Sequence, residues 1–162
     1  LHARMYVPVG HQDVPIASTV TQYLVDIVKP FHKLYEQLIP WYPNEVGYQL
    51  YRNSKDWISP HRDRRNDQLL SATITIAGSA MVRMLEPIDN PDDYSNLKTK
   101  FEFITKTGSI MWLRAPGFGN GKQEIHEVLP PINNSRLILN LRMRSNILKS
   151  PAEFLPARTY PQ

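Results

Sequence analysis

The sequence predicts a mainly β protein with one N-terminal helical region, of the β-sandwich or jelly-roll class. Two patterns support this prediction. Between residues 16 and 39, apolar residues recur at intervals of three and four, which is the period of an amphipathic helix. From residue 46 to residue 144 the period becomes that of short strands separated by Gly, Pro and Asn turns. Many short strands joined in this way are typical of sandwiches and jelly rolls, and the preceding helix would cover one sheet.

The helical region is expected to be interrupted. Ser18 or Thr19 is a plausible N-cap. Pro30 lies inside the apolar pattern, where it should kink the helix or split it in two. Residues 1–15 are interpreted as a loop or a short edge strand. Three aromatic residues are assigned to the core or to packing against a sheet: Tyr35, Trp41 and Tyr42.

The chain is predicted to form a single domain over residues 1–144, with helical support from 16–39 and a jelly roll from 46–144. Residues 86–100, rich in Asp, Asn and Pro, are interpreted as a long loop, and residues 145–162 as an extended C-terminal tail. The predicted strands are 46–52, 69–77, 81–85, 101–105, 109–114, 123–128 and 136–144.

Composition narrows the class of protein. A chain of 162 residues with 41% apolar and 21% charged residues is typical of one soluble globular domain with a sizeable core. The sequence has no run of about 18 apolar residues and no basic-then-apolar leader, so neither a membrane span nor a secretory signal is predicted. It contains no Cys, which leaves His and carboxylates as metal ligands and fits a cytoplasmic location.

The segment His61-Arg62-Asp63 carries the first functional signal. Side chains alternate along an extended segment, so His61 and Asp63 can reach the same metal ion. A lone His-x-Asp is more often a surface loop than a metal site. Here, however, His126 follows in a later apolar strand and supplies a second imidazole. Two imidazoles and one carboxylate with open positions are the facial triad of non-haem iron oxygenases.

A possible anion site accompanies these ligands. Arg136 follows His126 by ten residues in the next predicted strand. Its guanidinium group suits the distal carboxylate of a dicarboxylic cosubstrate, because guanidinium binds carboxylate in a bidentate manner. Gln49 and Tyr51 lie two apart on one strand and could both touch a cosubstrate, although Tyr51 could equally be a core residue.

Taken in order, these motifs resemble the Fe(II)/2-oxoglutarate-dependent dioxygenases, most closely the AlkB-like branch, over roughly residues 46–144. Gln49 stands where that family has Asn, and Ile138 where the branch often has Asn. The matching segments are Gln49-Leu50-Tyr51, His61-Arg62-Asp63, Gly108-Ser109-Ile110-Met111-Trp112, His126 and Arg136-x5-Arg142.

The resemblance implies a double-stranded β-helix in which His61, Asp63 and His126 bind Fe(II). It also implies that 2-oxoglutarate chelates the iron and that O₂ takes a remaining position, which leads to hydroxylation or oxidative demethylation. Arg136 would bind the distal carboxylate of 2-oxoglutarate. Three further residues are implied as cosubstrate contacts: Tyr51, Arg142 and Gln49.

Two basic clusters favour a polyanionic partner such as DNA or RNA at the rim of the site. The resemblance likewise favours a nucleic-acid base as substrate. Three alternatives remain: a hydroxylase of a protein side chain or small molecule, a non-catalytic jelly-roll binding domain, and a solvated basic face without a partner. The clusters comprise Arg52, Lys55, Arg62, Arg64 and Arg65, and then Arg136, Arg142, Arg144 and Lys149.

Overall fold

The computed structural model describes residues 3–90, 93–119 and 123–145, and within these ranges it contains nine strands, one α-helix and two 3-10 helices. The helix α1 spans Ala17–Val28, and the 3-10 helices span Lys29–Lys33 and Glu36–Leu38. The strands are β1 Ala3–Pro8, β2 Glu45–Tyr51, β3 Ile58–His61, β4 Asp67–Ala77, β5 Ser79–Pro87, β6 Leu97–Lys106, β7 Ile110–Arg114, β8 Ile125–Pro131 and β9 Arg136–Arg144.

The strands form two antiparallel sheets. One sheet has the order β1-β2-β9-β4-β7, and the other has the order β3-β8-β5-β6. From β2 onwards the chain changes sheet at every connection except the β5–β6 hairpin. This alternation defines a double-stranded β-helix, and it confirms the predicted jelly roll. The strand β1 extends the first sheet at its edge, as one of the two interpretations of residues 1–15 expected.

The helical region is split at Pro30, as predicted. The helix α1 ends at Val28, and Pro30 lies in the first turn of the following 3-10 helix. Proline tolerates that position because its missing N–H would have had no partner there. The predicted cap was wrong: the N-cap is Ile16 and no side chain caps the helix. The chain enters α1 through a turn in which the Ala17 N–H donates to the carbonyl of Val14.

The predicted loop at residues 86–100 is too long at both ends, because β5 continues to Pro87 and β6 begins at Leu97. The strand β6 lies at the edge of its sheet and most of its residues are exposed, so its first half shows no apolar alternation. Of the predicted C-terminal tail, only Ser145 belongs to the described residues.

The first sheet is buried on both faces. Its outer face packs against α1 and the residues that follow, in a core that includes Leu24, Leu139 and Leu141. Trp41 is buried there, donates from Nε1 to the Leu70 carbonyl at 2.8 Å, and confirms the core assignment. Tyr42 is 50% exposed and Tyr35 is 46% exposed, so neither belongs to the core, which was one of the two predicted alternatives. Tyr35 instead makes an edge contact with the ring of Phe118.

The inner face of the first sheet lines the space between the two sheets. Alternation along β9 sends Leu139 and Leu141 toward the helix, whereas Arg136, Asn140 and Arg142 line the inner cavity. These inward-facing residues of β9 line the inner cavity along its length. None of the helices in the described ranges has the length and apolarity that crossing a membrane requires.

Candidate metal centre

The three predicted metal ligands lie together. Antiparallel pairing of β3 with β8 places His61 directly opposite His126, with ring centroids 4.3 Å apart. Asp63 follows two residues after the end of β3 and turns toward the two rings. One ligand atom from each side chain lies within 4.8 Å of the others, and the described part of the chain shows no second group of this kind.

Backbone carbonyls orient both imidazoles. His61 Nδ1 lies 2.8 Å from the Ser59 carbonyl oxygen, and His126 Nδ1 lies 3.3 Å from the Glu124 carbonyl oxygen. A carbonyl can only accept, so each ring carries its proton on Nδ1 and leaves Nε2 free to bind a metal. Burial lowers the pKa of His126, and the nearby His61 acts in the same direction, which favours the neutral imidazole that metal binding requires.

A second His-x-Asp motif, His11-Gln12-Asp13, shows that the pattern alone does not make a metal site. The Asp13 N–H donates to His11 Nδ1 at 3.2 Å, so the histidine accepts a hydrogen bond within its own loop. Over the described ranges, no third ligand joins this pair.

Arg136 forms the opposite end of the cavity. It is 1% exposed, and its Nη2 donates to Thr105 Oγ1 at 2.9 Å and to Thr75 Oγ1 at 3.2 Å. Its Nε and Nη1 atoms are also buried, and they have no hydrogen-bond partner among the residues that the structure describes. Burial lowers the pKa of the guanidinium, and Tyr51 beside it opposes that shift. A buried cation with two unpaired donors is the kind of group that binds an anion.

Arg142 lies next to the metal ligands. Its Nη2 donates to Asp63 Oδ1 at 3.3 Å, and its guanidinium stacks over the Tyr6 ring at 5.4 Å. Burial alone would lower the pKa of Arg142, but Tyr6 and the surrounding carboxylates hold it above its usual value, so the guanidinium stays charged.

Gln49 and Tyr51 line the same cavity, but they are joined to a residue that the sequence did not single out. Tyr51 Oη donates to Gln49 Oε1 at 3.3 Å, and Gln49 Nε2 donates to Tyr6 Oη. Tyr6 reaches the cavity only because β1 pairs with β2. The sequence allowed a short edge strand in residues 1–15 but did not indicate which strand it pairs with, so it did not single out Tyr6.

The predicted basic rim is smaller than the sequence indicated. Arg136 and Arg142 are buried inside the cavity, and Arg144 is mostly buried by Glu45, so the second cluster does not form a rim. Lys149 lies outside the described residues. From the first cluster, Arg62 and Arg64 line the cavity. Three other members are exposed but do not line it: Arg52, Lys55 and Arg65.

Arg62 turns away from the metal ligands, as alternation predicted. Its Nε donates to the Gln123 carbonyl at 2.9 Å, and its Nη1 donates to Tyr94 Oη at 2.9 Å. Arg64 stacks over the Tyr6 ring at 5.3 Å.

The fold and the site together define a double-stranded β-helix protein with a candidate His-Asp-His metal centre. Comparisons with protein families and with curated proteins find no match for this chain. Among solved structures, it is similar to Drosophila melanogaster CENP-C bound to CAL1, with 10% identity, a TM-score of 0.41 and coverage of 60% of each chain.

Two further solved structures have the same degree of likeness. A Cupin 2 conserved barrel domain protein from Salinispora arenicola is 13% identical, with a TM-score of 0.41 over 67% of this chain and 72% of that one. An oxalate oxidase is 10% identical, with a TM-score of 0.41 over 68% of this chain. This chain spans 60% of the length of the CENP-C chain and 45% of the oxalate oxidase. These likenesses concern the fold alone.

Proposed function

We propose that this protein is an Fe(II)- and 2-oxoglutarate-dependent dioxygenase of the AlkB-like kind, which hydroxylates or oxidatively demethylates a nucleic-acid base. One observation carries the proposal: three converging metal ligands and a buried guanidinium with two unpaired N–H groups share a single cavity. A metal ion together with an anionic cosubstrate accounts for both features.

The residues present fit both groups. His61, Asp63 and His126 would hold Fe(II) through two Nε2 atoms and one carboxylate oxygen. Arg136 would bind the distal carboxylate of 2-oxoglutarate, with Tyr51 beside it and Arg142 near the metal end. When bound, Fe(II) and 2-oxoglutarate supply the activation of O₂ and the oxidation of a C–H bond in the substrate.

The chain's own groups prepare the cavity for these molecules. Thr75 and Thr105 fix the Arg136 guanidinium through Nη2, so its remaining donors keep one orientation. Thr73 Oγ1 donates to Asn140 Oδ1 at 2.7 Å, which anchors the amide in the cavity wall. Apolar side chains line the rest of the cavity and limit the access of water to its interior: Ile58, Met111, Leu113, Val128 and Ile138.

Charge supports binding of a metal and a dianion together. Four guanidinium groups and one carboxylate line the cavity: Arg62, Arg64, Arg136, Arg142 and Asp63. This excess of positive charge suits a dianionic cosubstrate, and Asp63 beside the two imidazoles suits a divalent cation.

The nucleic-acid substrate rests on the resemblance and on the cationic mouth of the cavity. Arg64 is exposed at that mouth and would attract a phosphate backbone. The alternative is a hydroxylase of a protein side chain or small molecule. It is favoured because Arg62 donates hydrogen bonds to Tyr94 and Gln123, so fewer cations are left to bind phosphate.

The first experiment tests the cofactors. We expect anaerobic addition of Fe(II) and 2-oxoglutarate to metal-free protein to produce the weak visible charge-transfer band of a chelated 2-oxo acid. Asp63→Ala should abolish the band because it removes a ligand. His11→Ala is the matched control, since His11 belongs to the other His-x-Asp motif, and it should leave the band intact. A folded wild-type protein without the band would contradict the proposal and favour a non-catalytic binding domain.

Arg136→Met separates the cosubstrate from the metal. Methionine retains much of the apolar volume but no donor, so 2-oxoglutarate affinity should fall by about 2–3 kcal/mol, or about 30- to 140-fold. Calorimetric titration with Mn(II), which avoids oxidation, should show unchanged metal affinity. Simultaneous loss of both ligands would make Arg136 a structural residue and would refute its assigned role.

A further inference from the structure

A row of alternating charges extends from Asp63 along the inner face of the first sheet. Arg142 contacts Asp63 through Nη2 and approaches Asp67 Oδ2 at 3.6 Å through Nε. Asp67 Oδ1 lies 3.6 Å from Arg144 Nε, and Arg144 Nη1 in turn donates to Glu45. This row of charges comprises three carboxylates and two guanidinium groups, and it connects a candidate metal ligand to the end of the sheet.

Asp67 is the unusual member of this row of charges. It is 0% exposed, and neither of its oxygens has a hydrogen-bond partner among the residues that the structure describes. Its contacts with Arg142 and Arg144 are ion pairs at 3.6 Å, which is longer than a hydrogen bond. A buried carboxylate without hydrogen bonds is costly, and such ion pairs are weak contributors to stability. Stability therefore does not explain an aspartate at this position.

A backbone irregularity brings Asp67 to this position. A β-bulge interrupts the β4–β9 pairing between Gln68 and Ser71, so Asp67 lies opposite Arg144. Regular pairing continued from Ser71 would place Asp67 two residues further along, away from Arg142. Leu69 in the bulge has a φ of 63°, a strained conformation for this side chain, and hydrogen bonds to Pro116 and Ala115 hold it. Strain of this kind is typically retained near functional sites.

We propose that Asp67 is a positioning residue for the metal centre, acting through Arg142. A guanidinium can bind one carboxylate with two parallel N–H bonds. Here the donors of Arg142 are divided, Nη2 to Asp63 and Nε toward Asp67, so one Asp63 oxygen remains available for the metal. Without Asp67, Arg142 would pair with both oxygens of Asp63 and compete with the metal. Arg144 and Glu45 hold Asp67 from the other side.

The inference rests on the metal centre of the proposed function, and Mn(II) titration of metal-free protein tests it. We expect Asp67→Asn, which keeps the shape and removes the charge, to weaken Mn(II) binding about 10- to 100-fold, as is typical of lost support to a metal ligand. In an Arg142→Met background the same substitution should have no further effect on Mn(II) affinity, because Asp67 acts through Arg142.

The control and the outcomes separate this inference from the proposed function. Glu102→Gln removes one partner of the Arg83–Glu102 ion pair on the other sheet, and it should leave Mn(II) affinity unchanged. Wild-type protein that binds no Mn(II) would refute the metal centre itself. Wild-type and Asp67→Asn proteins of equal affinity would overturn the positioning role and leave the metal centre standing. An undiminished loss in the Arg142→Met background would also overturn it.

A second variant covers the case in which Asp67→Asn does not fold. Arg144→Gln removes the other cation beside Asp67 and alters a more exposed position. Asp67 would then be less firmly held, so Mn(II) affinity should fall by at least about threefold. Unchanged affinity in this variant would refute the inference.

Discussion

Gln49 links two parts of the cavity wall through its side-chain amide. Both ends of the Gln49 amide are occupied, one by Tyr51 and the other by Tyr6. The Tyr6 ring in turn lies under the guanidinium groups of Arg64 and Arg142. Gln49 therefore connects the wall near Arg136 to the mouth of the cavity.

The pKa of Asp67 shows whether burial or ion pairing has the larger effect on this carboxyl group. Burial raises the pKa of its carboxyl above 3.8, and attraction to Arg142 opposes that shift. With a raised folded-state pKa, the folded protein binds protons more tightly than the unfolded chain. The stabilisation is complete below the unfolded-state pKa and is lost as pH rises through the folded-state pKa. We expect the free energy of unfolding of wild type, relative to Asp67→Asn, to fall as pH rises through this interval.

Urea unfolding of both metal-free proteins between about pH 4 and pH 7 measures this difference. The subtraction removes the contributions of carboxylates that both proteins share. A difference that instead grows with pH would mean that Arg142 and Arg144 lower the pKa of Asp67, and that ion pairing outweighs burial.

Among the connections between strands, the corner between β4 and β5 is the one that contacts the anion site. Gly78 alone joins these strands, with a φ of 81°. A Cβ added at Gly78 would lie 2.1 Å from the Ser135 carbonyl oxygen and 3.0 Å from Arg136 Cα. We therefore expect Gly78→Ala to displace the start of β9 and to weaken 2-oxoglutarate binding at least about tenfold, while Mn(II) affinity is retained.

Gly108→Ala is the matched control for this prediction. Gly108 has a similar φ of 86°, but a Cβ there would meet no atom within 4 Å. Its substitution should cost about 1 kcal/mol of stability from backbone strain and leave 2-oxoglutarate affinity unchanged. Equal effects of the two substitutions on that affinity would mean that strain in the turns, rather than the contact with β9, is responsible.

Across the whole molecule, the distribution of charge favours anionic substrates. The chain has a formal net charge of +4, and four guanidinium groups but only one carboxylate line the cavity. Among these guanidinium groups, that of Arg64 is exposed. If the substrate is a nucleic acid, affinity for a single-stranded oligonucleotide should fall steeply with salt, because bound phosphates release counterions.

Arg64→Ala should reduce the slope of log affinity against log salt by about 0.7, which corresponds to one phosphate contact on a single strand. Lys98→Ala is the control. Lys98 lies on the edge strand β6 of the other sheet and pairs with Glu86, so its substitution should leave the slope unchanged. Affinity that does not depend on salt would favour the protein or small-molecule hydroxylase.

The fold class and the candidate metal ligands could both be predicted from the sequence alone. Local alternation predicted most of the strands, and residue chemistry limited the possible ligands, since a chain without Cys can offer only His and carboxylates. His61 and Asp63 could be selected by residue type and short spacing, whereas His126 and Arg136 were selected by residue type within later predicted strands.

The contacts that support these residues depend on the tertiary structure and could not be predicted from the sequence. Tyr6 enters the cavity through the β1–β2 pairing, and Asp67 reaches Arg142 through a bulge in β4. The burial of Arg142 likewise turned an expected rim cation into a contact of Asp63. Each of these depends on register between strands far apart in the chain. A local pattern predicts which face a side chain occupies, but not which partner lies opposite it.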